Sequence, residues 1–554
     1  MSESAVSNTG APEKTGVAAL DDLFAVANRS DAPGLVVGVA QHGETVYRRG
    51  FGLASVELAV ANTPWTRMRI GSTSKHFTCL AALLLAEEGR LDLDASVRLY
   101  VPELPALNGE PTLRQLMNHT GGYRCYLDIG FLADSMAIKP LGQALAAQLR
   151  QREANFAPGE KFIYNNSGYH LLSIVIERIG GMPFEAFLAE RIFKPLGMQD
   201  TVSVPSDFEI HRGMATMHVA QPDGGYKRGI FPTVEVRGEG AMISSIDDML
   251  RWLSHLRGPK RVGSESSWAQ MLALARLNNG VEVPYALGLM RHLYRGVEVV
   301  HHAGGVIGGT CQMLTVPSHA LDIVIMTNGA PVNAMDLSKR VVDIMLGEPV
   351  LAAEGDTKAA TGDYPALAGR RYFSRRSGFL AAFADAEGTL GLEVLNLPAM
   401  ALRAGGGELR TSFEETATGP FGISLAALSS ANGAPAALRV SEGGYAEELE
   451  LLPETPPALA EAGKALVGSY RAPDMDADAR VQFEGDILQL RLVGRFGSTA
   501  IKLEALADDV FGWQMDGLDL PLRGVLSVER MQGRVTGLRM DTMRTRHMLL
   551  ERVE

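Results

Sequence analysis

Cysteine is scarce in this chain. Cys79, Cys125 and Cys311 are its three cysteines, spread through 554 residues. They are too few and too far apart for a disulfide framework, and they lack the close Cys/His spacing of a structural zinc site. We therefore expect three buried thiols that act as small hydrophobic side chains.

A net positive charge and long apolar runs are missing as well. The formal net charge is -12 at pH 7, without a Lys/Arg stripe, which argues against nucleic acid as a partner. No run of 18 apolar residues predicts a membrane-spanning helix. The first residues have neither the basic start nor the apolar core of a signal peptide, since they read MSESAVSNTGAPEKTG. These absences predict a cytoplasmic protein that does not associate with membranes.

What the chain does have is the composition of a multidomain globular protein. Hydrophobic residues make up 46% and charged residues 21%, and the length suggests two to four domains. Beyond residues 354–362 the pattern changes from helical periods to short alternating strands. Leu367-Ala368-Gly369 and Leu466-Val467-Gly468 open two such stretches. This pattern of short alternating strands predicts a duplicated β-domain.

The predicted organisation has six parts. They are a disordered tail over residues 1–18, a first domain over 19–350, a linker over 351–362, a first β-barrel domain over 363–455, a linker over 456–463 and a second β-barrel domain over 464–554.

The first domain contains a serine and a lysine three residues apart, Ser72 and Lys75. Apolar residues recur after them at helical spacing, at Phe77, Leu80, Ala81, Leu84 and Leu85. This spacing predicts a helix on which Ser72 and Lys75 share one face. Burial can lower the pKa of a lysine enough for it to deprotonate a neighbouring serine. One such pair also arises by chance in a chain of this length, so ordinary surface residues remain an alternative at this point.

Two further patterns follow along the chain. Tyr164-x-Asn166 lies in the turn before a long amphipathic helix, and His302-x-Gly304 ends a strand. A tyrosine in such a turn is either a core or rim aromatic or a proton shuttle. A strand histidine is either a hydrogen-bonded structural residue or part of a substrate groove. His119, before a glycine loop, is interpreted as a loop-capping residue rather than a catalytic one.

In this order, Ser72-x-x-Lys75, Tyr164-x-Asn166 and His302-x-Gly304 resemble the motifs of the penicillin-recognising serine hydrolases. That family includes serine β-lactamases, DD-peptidases and related esterases. The resemblance covers roughly residues 20 to 345. It implies an α/β (α+β) catalytic domain of the serine β-lactamase type, an antiparallel sheet flanked by helices. Two antiparallel, lipocalin-like β-barrels would follow that domain.

The resemblance also implies catalytic roles. Ser72 would attack the substrate carbonyl and form an acyl-enzyme, while Lys75 and Tyr164 relay the proton. The backbone N–H groups of Ser72 and Gly305 would form the oxyanion hole, a device whose loss costs about 10² to 10³ in rate. Neither a metal nor an organic cofactor is implied.

Substrate binding is implied for Asn166, His302 and Gly304. A lysine usually leads the third motif in β-lactamases, where it binds a substrate carboxylate. A neutral His302 offers only a hydrogen bond near pH 7. This departure favours amide or ester substrates without that anion.

A catalytic domain followed by two β-barrels resembles the D-aminopeptidases of the family. In that group a loop of the last barrel closes the catalytic site. The candidate loop here consists of Gly494, Arg495, Phe496, Gly497, Ser498 and Thr499. An ordinary hairpin loop is the alternative interpretation of these residues.

We therefore expect a D-stereospecific aminopeptidase that acts on short peptides, amides and esters. The alternatives are an esterase, DD-peptidase or β-lactamase-like hydrolase on the same scaffold, and a non-catalytic receptor for peptidoglycan fragments. The expected partners are a small peptide or amide substrate, β-lactams as inhibitors and a second copy of the chain in a homodimer.

Overall fold

The computed structural model describes residues 14–107, 109–348, 350–351, 358–359, 364, 366–386, 389–395, 399–405, 408–411, 421–424, 433–515 and 522–553. Its α-helices are α1 Lys14–Phe24, α2 Lys75–Glu87, α3 Leu113–Met117, α4 Tyr126–Asp134, α5 Gln143–Leu149, α6 Asn166–Gly180, α7 Phe184–Leu188, α8 Lys194–Leu196, α9 Ile246–Arg257, α10 Glu265–Leu272, α11 Ala334–Leu346 and α12 Leu459–Ala462. A π-helical turn covers Ala189–Phe193, and short 3-10 turns cover Ala25–Ala27, Gly71–Ser74, Val97–Leu99, Pro317–His319, Gly463–Leu466 and Pro473–Met475.

The first domain is built on a six-stranded antiparallel sheet. Its strands are β1 Leu35–Gln41, β2 Glu44–Phe51, β3 Met290–Tyr294, β4 Val297–Val306, β5 Gly309–Val316 and β6 Leu321–Thr327. Their spatial order is β3-β4-β5-β6-β1-β2, so the two ends of the domain sequence meet where β1 pairs with β6. The turn at His42-Gly43 connects β1 to β2 as a hairpin.

Helices cover both faces of this sheet. Val36 and Ala40 of β1 face the core that contains α2, α6 and α9, whereas Leu35, Val37 and Val39 face α1 and α11. Alternate residues of a strand point to opposite faces, so an apolar run such as β1 is buried on both sides. The α2 helix, buried over most of its length, lies in the larger of the two cores.

Several two- and three-stranded ladders surround the sheet. They pair Leu53–Ser55 with Val60–Ala61, His218–Ala220 with Tyr226–Arg228, Ala275–Arg276 with Glu282–Val283, and Met242–Ser244 with both Met68–Arg69 and Val202–Ser203.

The next part of the chain forms a ten-stranded antiparallel sheet. In spatial order the strands are Lys358–Ala359, Arg403–Gly405, Glu408–Arg410, Phe421–Ser424, Ala437–Glu442, Tyr445–Leu451, Arg371–Phe373, Leu380–Ala386, Thr389–Val394 and Met400–Ala401. A single residue, Leu402, joins the last of these strands to Arg403–Gly405 near the other end of the order. The sheet is therefore nearly closed.

The final part is a closed eight-stranded barrel. Its strands are Gly468–Ala472, Ala477–Glu484, Ile487–Val493, Ser498–Ala507, Val510–Met515, Leu522–Met531, Arg534–Asp541 and Met548–Arg552. The predicted fold class is confirmed, with the difference that only the second of the two β-domains is fully closed.

Some predicted boundaries fall partly outside the described residues. Residues 1–13 of the predicted tail lie outside the described residues, and residues 14–18 begin α1. Of the predicted linker 351–362, only residues 351 and 358–359 are described. Helix α12 lies within the predicted linker 456–463. No helix in the described part of the chain is long and apolar enough to cross a membrane.

Candidate active site

Ser72 and Lys75 meet at the start of α2. Ser72 lies in the 3-10 turn Gly71–Ser74 and is half-buried, whereas Lys75 is fully buried. The Lys75 Nζ atom donates to Ser72 Oγ at 3.1 Å, to Asn166 Oδ1 at 2.9 Å and to the Glu239 backbone oxygen at 2.6 Å. Two of the three sequence motifs are thus joined at one ammonium group.

Burial lowers the pKa of Lys75 into the range that suits a general base near neutral pH. Loss of hydration lowers the pKa of Lys75 to about 7; the Glu239 carboxylate opposes this shift and the Arg544 guanidinium adds to it. A lysine with such a pKa is partly neutral near neutral pH. It can therefore accept the proton of the Ser72 hydroxyl to which it is hydrogen-bonded.

Tyr164 lies over the same ammonium. The Lys75 Nζ atom is 4.8 Å from the centroid of the Tyr164 ring. The Oη atom of Tyr164 is buried and makes no hydrogen bond to any residue that the structure describes. Burial raises the pKa of Tyr164, while the neighbouring Ser72 works in the opposite direction. The phenol is therefore protonated at neutral pH and has a proton to donate.

The turn that carries Ser72 packs directly on β4. Gly71 has a positive φ of 52°, and a Cβ there would lie 2.8 Å from the Gly305 oxygen and 2.9 Å from its nitrogen. A Cβ on Gly304 would lie 1.9 Å from the Ile70 oxygen. Only glycine allows these close approaches. They bring the two predicted oxyanion donors, Ser72 and Gly305, next to each other.

Strand β4 has a free edge at this point. Its pairing with β3 runs only as far as His301 opposite Met290, while Gly305 is paired on its other side with Thr310 of β5. Gly305 is solvent-exposed. An extended substrate could thus reach its backbone.

His302 is held inside the protein rather than free. Its Nδ1 atom is 2.6 Å from the Ala303 oxygen, and its Nε2 atom is 3.0 Å from Tyr285 Oη. Burial, with a smaller effect from Lys75, lowers the pKa of His302 to about 3. The ring is neutral, so it carries its proton on Nδ1 and accepts from Tyr285 on Nε2.

The same tyrosine binds His119. The Asn165 N–H donates to His119 Nδ1 at 3.0 Å, and His119 Nε2 is 3.1 Å from Tyr285 Oη. Since Nδ1 accepts, the neutral His119 ring donates from Nε2 to Tyr285, which in turn donates to His302. The predicted loop-capping role of His119 agrees with these contacts. Tyr285 was missed by the sequence analysis, because no motif marks it.

The predicted specificity loop lies elsewhere on the catalytic domain. The backbone N–H groups of Phe496 and Gly497 donate to Asp134 Oδ1 at 2.8 and 3.0 Å, and Thr499 Oγ1 donates to the Leu132 oxygen. Residues 494–499 therefore dock on the C-terminal end of α4. The structure does not bring them to Ser72, Lys75 or Tyr164.

A different loop of the barrel approaches the catalytic residues. It consists of residues 542–547, between the strands Arg534–Asp541 and Met548–Arg552, and is called the 542–547 loop below. The Cys125 N–H donates to Thr545 Oγ1 at 3.1 Å. Asn166 Nδ2 in turn lies 3.8 Å from Cys125 Sγ. Two residues, Asn166 and Cys125, thus connect this loop to the ammonium of Lys75 through three contacts. The sequence analysis missed the loop because it resembles a short hairpin turn.

A buried charge cluster holds this loop from behind. Arg546 Nη2 donates to Glu442 Oε1 of the ten-stranded sheet at 2.6 Å, and Glu442 is also paired with Lys161 of the catalytic domain. All three side chains are at most 6% exposed. Residues of all three domains therefore meet at one carboxylate.

The three cysteines are free and buried, as predicted. Within the described ranges, no group of three or more His, Cys, Asp or Glu side chains is placed to hold a metal ion.

Comparison with known proteins identifies the family of the chain. The family described as Beta-lactamase matches residues 20–344. The chain belongs to the beta-lactamase family. The match ends within α11, after the last strand of the six-stranded sheet, so the two C-terminal β-domains lie beyond it.

Full-length relatives include those C-terminal domains. The D-aminopeptidase of Gluconobacter oxydans is 27% identical over 549 residues, which cover 96% of this chain and 98% of that protein. The D-aminopeptidase of Brucella anthropi is 27% identical over 539 residues, which cover 94% and 96%. The octameric penicillin-binding protein homologue from Pyrococcus abyssi has a similar fold, with a TM-score of 0.53 at 19% identity, over 97% of this chain and 100% of that one.

Proposed function

We propose that this protein is a serine hydrolase that removes N-terminal D-amino acids from short peptides, amides and esters, through an acyl-enzyme on Ser72. The observation that carries the proposal is the buried Lys75, whose pKa of about 7 suits a base and whose Nζ atom is hydrogen-bonded to Ser72. The likeness to D-aminopeptidases over more than nine-tenths of both chains supports the substrate class.

The chemistry follows from this geometry. Neutral Lys75 accepts the hydroxyl proton while Ser72 Oγ forms a bond to the substrate carbonyl carbon. The N–H groups of Ser72 and Gly305 stabilise the oxyanion. As the bond to the leaving amine breaks, that amine takes a proton from the Tyr164 phenol, which Lys75 reprotonates. Water then hydrolyses the ester on Ser72 and releases the D-amino acid.

The other predicted site residues have supporting roles in this proposal. Asn166 positions Lys75 through Oδ1, and its amide remains the proposed partner of the substrate amide. His302 stiffens β4 beside Gly304 and Gly305 through its bond to Tyr285. For the finer properties, we propose a cytoplasmic homodimer that β-lactams acylate at Ser72.

A pair of enantiomers tests the proposal. D-Alanine p-nitroanilide should be hydrolysed at least tenfold faster than the L-enantiomer, and mass spectrometry of a quenched reaction should show an acyl adduct on Ser72. Equal rates would refute the stereochemical claim. Rapid turnover of simple esters or penicillins, without cleavage of D-aminoacyl amides, would favour the esterase or β-lactamase-like alternative. Absence of any Ser72 adduct would favour a receptor.

A further inference from the structure

The 542–547 loop is fixed to the catalytic domain along its whole length. Asn155 donates to the Arg544 oxygen at 2.9 Å and accepts from the Arg546 N–H at 2.7 Å. Arg124 donates to the backbone oxygens of Arg546 and His547 at 2.8 and 2.9 Å. A loop bound in this way presents its side chains in one arrangement, as a preorganised binding site requires.

One side chain of this loop, Arg544, turns back toward the catalytic residues. Its Nη2 atom donates to Asp128 Oδ1 on α4, and Thr542 Oγ1 donates to Asp128 Oδ2 at 2.8 Å. The next residue, Thr545, accepts from the Cys125 N–H, and Cys125 contacts Asn166, the partner of Lys75. Arg544 therefore lies where the loop meets the catalytic domain near Lys75, and its positive charge lowers the pKa of Lys75.

Most of the Arg544 guanidinium is not used by the protein. A guanidinium has five N–H donors, and the bond to Asp128 is the one that its side chain makes to the described residues. Asp128 is only 2% exposed, whereas the Arg544 side chain is 26% exposed. The Arg544 side chain is thus partly accessible and keeps unused donors, in the planar arrangement that matches a carboxylate.

We propose that Arg544 is a substrate-binding residue and that the substrate of this hydrolase carries a carboxylate. The proposal rests on the proposed function and adds the charge of the substrate to it. It also revises the expectation drawn from His302. On β4 the position of the usual lysine is occupied by the neutral His302, whereas the 542–547 loop supplies a cation beside α4.

The nearby acids do not cancel this preference. Asp128 already accepts from both Arg544 and Thr542, and the Glu239 carboxylate is buried and bound by Tyr126. Neither presents a free negative charge at the accessible side of Arg544. An anionic group gains a bidentate partner there, whereas an uncharged amide gains at most single hydrogen bonds.

Matched substrate pairs locate the carboxylate. Comparison of D-alanyl-glycine with D-alanyl-glycinamide tests for a carboxylate on the leaving group. Comparison of the α-p-nitroanilides of D-glutamate and D-glutamine tests for a carboxylate on the side chain of the D-residue. We expect the acid to exceed the amide by about 10- to 100-fold in kcat/KM in one of the pairs, since hydrogen bonds to charged groups have about that effect. Acid-to-amide ratios of one or less in both pairs would overturn the proposal.

Variants separate recognition from folding. Arg544→Met should reduce the acid-to-amide ratio at least tenfold, and Arg544→Lys should restore part of it. The double variant Arg544→Met/Asp128→Asn removes both partners of the ion pair, so it avoids an unpaired buried carboxylate and should show the same loss of ratio. The matched control is Arg530→Met, which removes an exposed arginine paired with Asp509 on the same barrel. An unchanged acid-to-amide ratio in both Arg544→Met and the double variant would show that Arg544 only anchors the loop.

A third pair keeps this test independent of the proposed function. The p-nitrophenyl esters of succinic and succinamic acid acylate a serine without containing a D-amino acid. Faster acylation of Ser72 by the succinic ester, with loss of that preference in Arg544→Met, would support carboxylate binding even if no D-aminoacyl compound is hydrolysed. Failure of the D-aminoacyl substrates alone would refute the proposed function and leave the Arg544 result standing.

Discussion

The Nζ atom of Lys75 lies 2.6 Å from the backbone oxygen of Glu239, whose buried carboxylate accepts a hydrogen bond from Tyr126. The other carboxylate oxygen, Oε2, has no hydrogen-bond donor among the described residues. A buried carboxylate in this position acts on Lys75 through its charge. It favours the protonated lysine and so offsets part of the effect of burial.

Glu239→Gln should therefore shift the pH dependence of acylation. In the proposed mechanism the neutral form of Lys75 is the base, so kcat/KM should rise through a pH of about 7 in the wild type. Removing the negative charge lowers the pKa of Lys75 further, and the rising limb should move to lower pH. Arg544, Cys125 and Cys79 also face Lys75 and stay unchanged in this variant.

A pH profile of kcat/KM on D-alanine p-nitroanilide measures this shift. Glu177→Gln is the matched control, because Glu177 forms a partly exposed pair with Arg237 away from Lys75. A rising limb that stays in place in Glu239→Gln would show that Glu239 does not set the pKa of the base.

Ser72→Ala should remove catalysis and leave the fold intact. Loss of a serine nucleophile lowers kcat by about 10⁴-fold or more in related chemistry. The free energy of unfolding should change by less than about 1 kcal/mol, because Lys75 keeps its bonds to Asn166 and Glu239. Mass spectrometry and thermal unfolding measure the two effects, with Ser318→Ala, an exposed serine, as the control. A large fall in Tm would instead give Ser72 a structural role.

Tyr285→Phe should destabilise the protein and slow the reaction together. It removes the group that accepts from His119 and donates to His302, so two buried ring nitrogens lose their partner. The expected cost is about 1–3 kcal/mol for each nitrogen. Chemical denaturation and nitrogen NMR of the imidazoles would record the loss and any change of tautomer.

Tyr372→Phe provides the contrast. Its Oη atom is buried in the ten-stranded sheet without a hydrogen-bond partner in the described part of the chain. Removing it should be neutral or slightly stabilising. Equal losses in both variants would show that the hydroxyl of Tyr285 carries no special role.

Glu442→Gln should loosen the 542–547 loop. The change leaves Lys161 and Arg546 buried without their shared counter-charge, a cost of about 3–5 kcal/mol for a broken buried pair. In the wild type, burial alone would raise the pKa of Glu442, but Arg546 and Lys161 outweigh it and lower that pKa. This contribution to stability is thus present at neutral pH and is lost as the pH falls through the lowered pKa.

Thermal unfolding at neutral and acidic pH tests this cluster. The difference in Tm between wild type and Glu442→Gln should shrink on acidification. Glu408→Gln, which affects an exposed pair with Arg410 in the same sheet, should have little effect at either pH. A constant difference across the pH range would mean that Glu442 contributes through packing and not through its charge.

The sequence predicted the fold class and picked out motif residues that the folded chain brings together, because both depend on local patterns. The spacing from Phe77 to Leu85 is that of the α2 helix, and the motifs of Ser72 and Tyr164 meet at one ammonium as expected. The loop assignment failed for a different reason. Residues 494–499 and 542–547 both read as hairpin turns, and which of them lies near Ser72 depends on how the barrel is rotated against the catalytic domain. No local pattern encodes that rotation.

Residues that contact the site from distant parts of the chain could not be predicted from the sequence for the same reason. Tyr285, Glu239 and Arg544 belong to no recognised motif, and each matters through a residue more than a hundred positions away. Glu239 lies between two glycines, Gly238 and Gly240, in a segment without a catalytic motif. Only the folded chain shows that its carboxylate faces Lys75.

The position of the 542–547 loop along the chain has a consequence for synthesis. Arg544 follows Ser72 by 472 residues, so the nucleophile and its base leave the ribosome long before the loop that lies beside them. Helix α4, against which that loop lies, shares a hydrophobic core with the barrel. One wall of the proposed site is therefore absent until the barrel has been synthesised and docked, and the proposed selection of carboxylate substrates depends on completion of the whole chain.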